Sequence, residues 1–149
     1  MKRKITGFHK DERDDWVAEL DCHHGQHVRH NPPFFNRPWV ETEAGRNEKL
    51  GFELDCVRCD RFEWPDDLVF SRRTRTFDET TVPAGLLKDH STKTGTWGLV
   101  CVEHGELLYI AGDRRQTLTP DQKGIVVPNM IHKVEAQGEV SFFVEFYSL

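Results

Sequence analysis

Residues 97–111, Trp97-Gly98-Leu99-Val100-Cys101-Val102-Glu103-His104-Gly105-Glu106-Leu107-Leu108-Tyr109-Ile110-Ala111, decide the fold. Apolar and β-branched residues fill 98–102 and 106–110, and the glycine-bearing step Glu103-His104-Gly105-Glu106 between them reads as a turn. The same rhythm continues outward. Strand-type runs cover 68–77, 125–127 and 140–147, and Ala111-Gly112-Asp113-Arg114 and Gln137-Gly138-Glu139 supply further turns. Short strands at this spacing predict an all-β sandwich or barrel.

The chain changes character near residue 64, where Glu63-Trp64-Pro65-Asp66-Asp67 is polar and carries a proline. This places one module at 1–64 and a second at 65–149. In the first, 5–8 and 16–20 are strand candidates around the charged loop 10–15, and a brief helix is expected within 42–50. Residues 30–38 hold three prolines, which remove donors and restrict their predecessors, so no regular helix forms there.

Composition limits the classes of function. The 149 residues carry 20 Lys and Arg against 25 Asp and Glu, a net charge of −5, which argues against a broad nucleic-acid footprint. His27, Arg29, His30, Arg37 and Arg46 do lie among Phe34, Phe35 and Trp39, a mixture able to contact single-stranded nucleic acid. The acidic total favours reading them as a packed knuckle with solvated arginines. No stretch reaches the roughly 20 apolar residues of a membrane helix, and the start Met-Lys-Arg-Lys leads into no apolar signal core. A cytoplasmic location is expected, where cysteines serve as metal ligands or thiols in preference to disulfides.

Three of the four cysteines and five of the eight histidines fall within the first 60 residues. Cys56-Val57-Arg58-Cys59 is a C-x-x-C pair, and Cys22-His23-His24-Gly25-Gln26-His27 packs one cysteine and three histidines into six residues. Zinc takes a tetrahedral set of thiolates and imidazoles, and a C-x-x-C turn lets two sulfurs reach one ion. Cys22, Cys56 and Cys59 are three of the expected ligands. The fourth is His24, His27 or His30; His24 is preferred because a Cys-x-His turn faces both side chains one way. Four protein donors would close the site and make it structural, stapling a module with little core of its own. A redox C-x-x-C pair normally sits in a βαβ context, which these residues lack.

Two resemblances follow from these residues. The strings Glu19-Leu20-Asp21-Cys22, Gly25-Gln26-His27-Val28-Arg29-His30-Asn31-Pro32-Pro33, Asn36-Arg37-Pro38-Trp39-Val40 and Cys56-x-x-Cys59 resemble a small bacterial family of unknown function over about residues 4–60. That family usually has Cys-Gly-His where this chain has Cys22-His23-His24. Farther on, Gly124-Ile125-Val126-Val127-Pro128-Asn129-Met130-Ile131-His132 has the form of a cupin's second motif. Together with residues 90–98 and the closing Phe142-Phe143-Val144-Glu145-Phe146-Tyr147, it resembles the cupin-like domain at the N-terminus of bacterial tellurite-resistance methyltransferases. The resemblance implies a jelly-roll β-barrel with His90 and His132 in its mouth, where they can hold a divalent metal. The first cupin motif is degraded, with Thr92 and Trp97 or Gly98 where ligands are expected. S-adenosylmethionine chemistry is not expected, since the methyltransferase domain of the longer relatives is absent from this chain.

The expected architecture is therefore mainly β, a small zinc-binding module followed by a cupin-like jelly-roll. Glu145 is the candidate third donor beside His90 and His132, and Lys93 could orient an anionic ligand in the same mouth. No catalytic residue is assigned. The expected function is binding or sensing of a small molecule or anion, linked to tellurite or oxidative and nitrosative stress resistance. A metal-dependent cupin enzyme, a dioxygenase or isomerase, is the alternative; cupin-like sheets often pair as homodimers, which leaves both monomer and homodimer open.

Overall fold

The computed structural model describes residues 1–149, and the chain divides after Asp66 into two units, Met1–Asp66 and Asp67–Leu149. The division falls two residues past the expected one because Glu63 and Pro65 belong to the first unit: Pro65 is fully buried and the Glu63 carbonyl accepts a hydrogen bond from His24.

The first unit is built on an antiparallel sheet ordered β3-β2-β1-β4, with β1 at Lys2–Lys10, β2 at Trp16–Leu20, β3 at Gly25–His27 and β4 at Glu53–Asp55. The loop between β1 and β2 is held by the Asp11 carboxylate, which accepts from the backbone N–H groups of Arg13 and Asp15. Ile5, Ala18, Leu20, Val28 and Val40 supply much of the buried apolar surface. Few large side chains join them, so burial alone leaves a module of this size marginal. Helix α1, Glu43–Glu48, begins where Thr42 accepts from the Gly45 N–H, a side-chain cap. Helix α2, Val57–Asp60, follows directly on Cys56.

In the second unit, two of the expected turns are not turns. Strand β7 runs unbroken over Trp97–Ala111 through Gly105, and β10 runs over His132–Ser148 through Gly138. The two pair antiparallel along their length, with register shifts between Ala136 and Val140 and between Ser141 and Phe142. Both glycines have positive φ, +80° at Gly105 and +81° at Gly138. They mark bulges that bend a long hairpin without ending its strands. Ala111-Gly112-Asp113-Arg114 does turn, into β8 at Arg114–Leu118.

The bend divides the hairpin's partners. β9 (Gly124–Val126) pairs with β7 before Gly105, and β8 pairs with it after. β5 (Val69–Arg73) and β6 (Phe77–Asp78) pair with β10 after Gly138. The path β5-β10-β7-β8 is open at both ends, so the sheet is bent but does not close into the expected barrel. Trp97, Leu107, Tyr109, Leu118, Val126 and Phe142 form its core. No helix is long and apolar enough to cross a membrane.

Candidate functional site

The β2–β3 turn carries the first half of the metal cluster. His23 takes φ +74°, and the Leu20 N–H bonds to the His24 carbonyl, so the turn swings His23 aside and sends Cys22 and His24 inward. Cys56 and Cys59 arrive from the opposite end of the unit, at the cap and within the single turn of α2. All four side chains are buried, and their donor atoms lie within 4.8 Å of one another. Cys22, His24, Cys56 and Cys59 thus form a candidate metal-binding site. His27 instead pairs with Asp11 at 2.7 Å, and His30 accepts the Arg37 backbone N–H, so neither supplies the fourth ligand.

The protonation pattern suits coordination. His24 Nε2 lies 2.9 Å from the Glu63 carbonyl, which can only accept, so Nε2 donates there and Nδ1 is the ring atom that faces the sulfurs. Among the thiols, hydrogen bonds from Cys22 and Cys59 hold the Cys56 thiol well below its ordinary range, while the same crowding pushes Cys22 up. Burial works against a charge on His24, yet bonding to Cys56 and Cys59 outweighs it and lifts the imidazole to about 9. The pocket therefore sets an anionic Cys56 sulfur against the His24 imidazole, with the Cys22 and Cys59 sulfurs alongside as further donors.

The second site lies wholly within the later unit. A cavity of about 680 Å³ has buried walls of Phe77, Val100, Val126, Val134, Phe142 and Val144, drawn from both halves of the bent hairpin. His90 and His132 line it together. Their backbones exchange two hydrogen bonds, 3.0 and 2.8 Å, and their rings meet edge to face with centroids 4.1 Å apart. Each imidazole Nδ1 lies near a carbonyl two residues upstream, Lys88 at 2.9 Å and Met130 at 3.0 Å. Lys93 stands exposed at the rim, as does Arg72, whose place there depends on the long-range pairing of β5 with β10 and not on any local pattern.

Glu145 does not join them. Phe142, Val144 and Phe146 line the cavity, and the two-residue period of a strand turns Glu145 to the opposite face, where the Cys101 thiol approaches its Oε1 at 3.4 Å. Burial, and after it that contact, pushes the Cys101 thiol up to about 11. No third His, Cys, Asp or Glu completes a metal-binding group around His90 and His132.

Residues 6–63 match a family described as a protein of unknown function (DUF3565), and residues 72–144 match the TehB-like domain. The chain is a DUF3565 domain followed by a TehB-like domain. Among solved structures it is similar to a protein from E. coli (strain K12), at 23% identity and TM-score 0.53, over 57% of this chain and 94% of that one. It is also similar to TehB from Haemophilus influenzae, at 24% identity and TM-score 0.53, over 56% of this chain. The match spans 32% of that protein, and both likenesses speak to fold alone. No curated protein matches the chain.

Within the TehB-like domain, burial lowers the pKa of His132, and the neighbouring His90 adds to the effect against a backbone bond to Met130. The unfolded chain then takes up this proton first as pH falls. The contribution of His132 to stability is present above its ordinary value near 6.5 and is lost as pH drops below it. The protection factors of β7 amides, which are corrected for the intrinsic slowing of exchange in acid, should therefore fall as the pH drops below about 6.5. A His132→Gln chain should lack that part of the slope; an unchanged slope would place its origin elsewhere.

Proposed function

We propose that the chain is a zinc-stapled ligand-binding protein whose second domain is a cupin-like jelly-roll, taking up a small molecule or anion without turnover. The observation that carries this reading is the cavity, which falls within the roughly 300–1,000 Å³ usual for small-molecule sites and gathers His90, His132 and Lys93 on one apolar pocket. A role in tellurite or oxidative and nitrosative stress resistance rests on similarity to the TehB-like domain, which is an analogy of fold.

Zinc suits the first domain by donor set and spacing. Bond lengths of about 2.3 Å to sulfur and 2.05 Å to nitrogen, at tetrahedral angles, put sulfurs about 3.8 Å apart and sulfur about 3.5 Å from nitrogen. Cys22 and Cys56 Sγ are 3.8 Å apart, and His24 Nδ1 lies 3.5, 3.3 and 3.6 Å from the sulfurs of Cys22, Cys56 and Cys59. These four residues would hold the ion with no coordination position left for water, so it would supply structure and not hydrolysis.

The alternative, a metal-dependent enzyme, is favoured by one observation, that two imidazole Nε2 atoms without a protein partner belong to adjacent rings. The lack of a third donor weighs against it, since oxygen-activating centres generally use two histidines and a carboxylate. Metal analysis of purified protein separates the readings. One zinc per chain, unchanged in a His90→Ala, His132→Ala double variant, is expected. A second metal that the double variant loses would establish the enzyme-type centre.

A further inference from the structure

The chemistry of the cavity allows its occupant to be described more closely, on the premise of the ligand-binding reading above. At about 30 Å³ per water, about 680 Å³ is room for roughly twenty waters. A bare inorganic oxyanion fills a small part of that space, and against apolar walls it would lose hydration without replacement. The walls instead call for an apolar body. Phe77, Phe142 and Phe146 all line the cavity, with the first two rings 5.7 Å apart and tilted, a surface against which a flat ring packs edge or face.

Besides the hydroxyl-bearing Thr74, Ser91, Thr92 and Thr96, the polar lining comprises two cations and two imidazoles. At the rim stand Arg72 and Lys93, neither in an ion pair, and no Asp or Glu belongs to the cavity lining. The Arg72 guanidinium lies 4.3 Å from the Phe146 ring centre, which orients it while leaving its N–H donors for a partner. Carbonyls lie at the Nδ1 atoms of His90 and His132 and hold the protons there. In the neutral tautomer that this bonding selects, Nε2 keeps a lone pair, which accepts and cannot donate. A ligand group facing that pair must bring its own proton.

The geometry points to a small aromatic acid bearing a hydroxyl group: its ring against the phenylalanines, its carboxylate toward Arg72 and Lys93, its hydroxyl donating to His90 or His132. Titration calorimetry on the full zinc-loaded chain tests this with 2-, 3- and 4-hydroxybenzoate, benzoate, phenol, phosphate and tellurite. At least one hydroxybenzoate isomer is expected to bind once per chain, with benzoate and phenol at least about tenfold weaker and the inorganic anions weaker still. An Arg72→Gln, Lys93→Gln variant, altered only at exposed positions, should lose about tenfold for the hydroxybenzoate and nothing for phenol. At least one of His90→Phe and His132→Phe should erase the preference over benzoate, and its survival in both would overturn the assignment.

Phenol binding as tightly as the acid, or phosphate or tellurite outcompeting it, would overturn this assignment while leaving a ligand-binding cavity in place. Failure of all three isomers would overturn it as well. The metal count of the intact and double-variant chains judges the underlying reading independently.

Discussion

Stripping the metal from the purified chain with a strong chelator should unfold residues 1–66 and leave residues 67–149 folded. The first unit gathers three sulfurs and an imidazole into its interior, and its apolar core is made mainly of Ile5, Ala18, Leu20, Val28 and Val40. Apparent binding energies of structural zinc are about 10–16 kcal/mol near neutral pH, larger than the whole stability expected of so small a core. Limited proteolysis should therefore cut the chelated chain within 1–66 and spare a fragment starting near residue 67. Cys56→Ser and Cys59→Ser should behave like the chelated protein without chelator. Uptake of the ion must displace protons from thiols and from the raised His24 imidazole, so affinity should fall steeply as the solution is acidified. A protease-resistant first unit in the absence of metal would show that its apolar contacts suffice.

The chemistry of this unit could be read before its geometry because ligand type and spacing travel with the sequence. Cys22, Cys56 and Cys59 needed only a turn at each end to meet, and strands near 5–8 and 16–20 needed only alternation and a charged loop. The fourth ligand was harder. His24, His27 and His30 are chemically alike, and what separates them is a positive φ at His23 and pairing of His27 with Asp11 across the β1–β2 loop. In the second unit, bringing His90 beside His132 followed from the family resemblance, whereas Glu145 was misplaced although strand alternation alone puts it opposite Phe142, Val144 and Phe146. Arg72 depends on long-range register, which no local pattern encodes. The glycines at 105 and 138 carried a signal that admits two structures, since a residue with positive φ serves a turn and a bulge equally well. Only the partner strand decides between them.

Those two glycines should respond very differently to substitution. A Cβ at Gly105 would sit 2.0 Å from the Glu139 carbonyl oxygen and 3.1 Å from the Val140 Cα, both backbone atoms of β10, at φ +80°. Neither neighbour can rotate away, so relief requires moving one central strand off the other. Gly105→Val adds a β-branched side chain to a backbone conformation it resists. Strain of this kind costs about 1–3 kcal/mol and overpacking about as much again, a large share of a small domain's stability. The second unit should fail to fold, or lose most of its protection in β7 and β10 by hydrogen exchange. At Gly138 the φ is nearly the same, +81°, but nothing lies within 4 Å of an added Cβ. Gly138→Ala should therefore cost only the conformational term, about 1–2 kcal/mol, with a folded and protected hairpin. Gly105→Ala set beside Gly138→Ala isolates crowding from dihedral preference, because the two sites then share the second and differ in the first. Equal losses at both positions would mean that the close approach of Gly105 to Glu139 does not hold the bend.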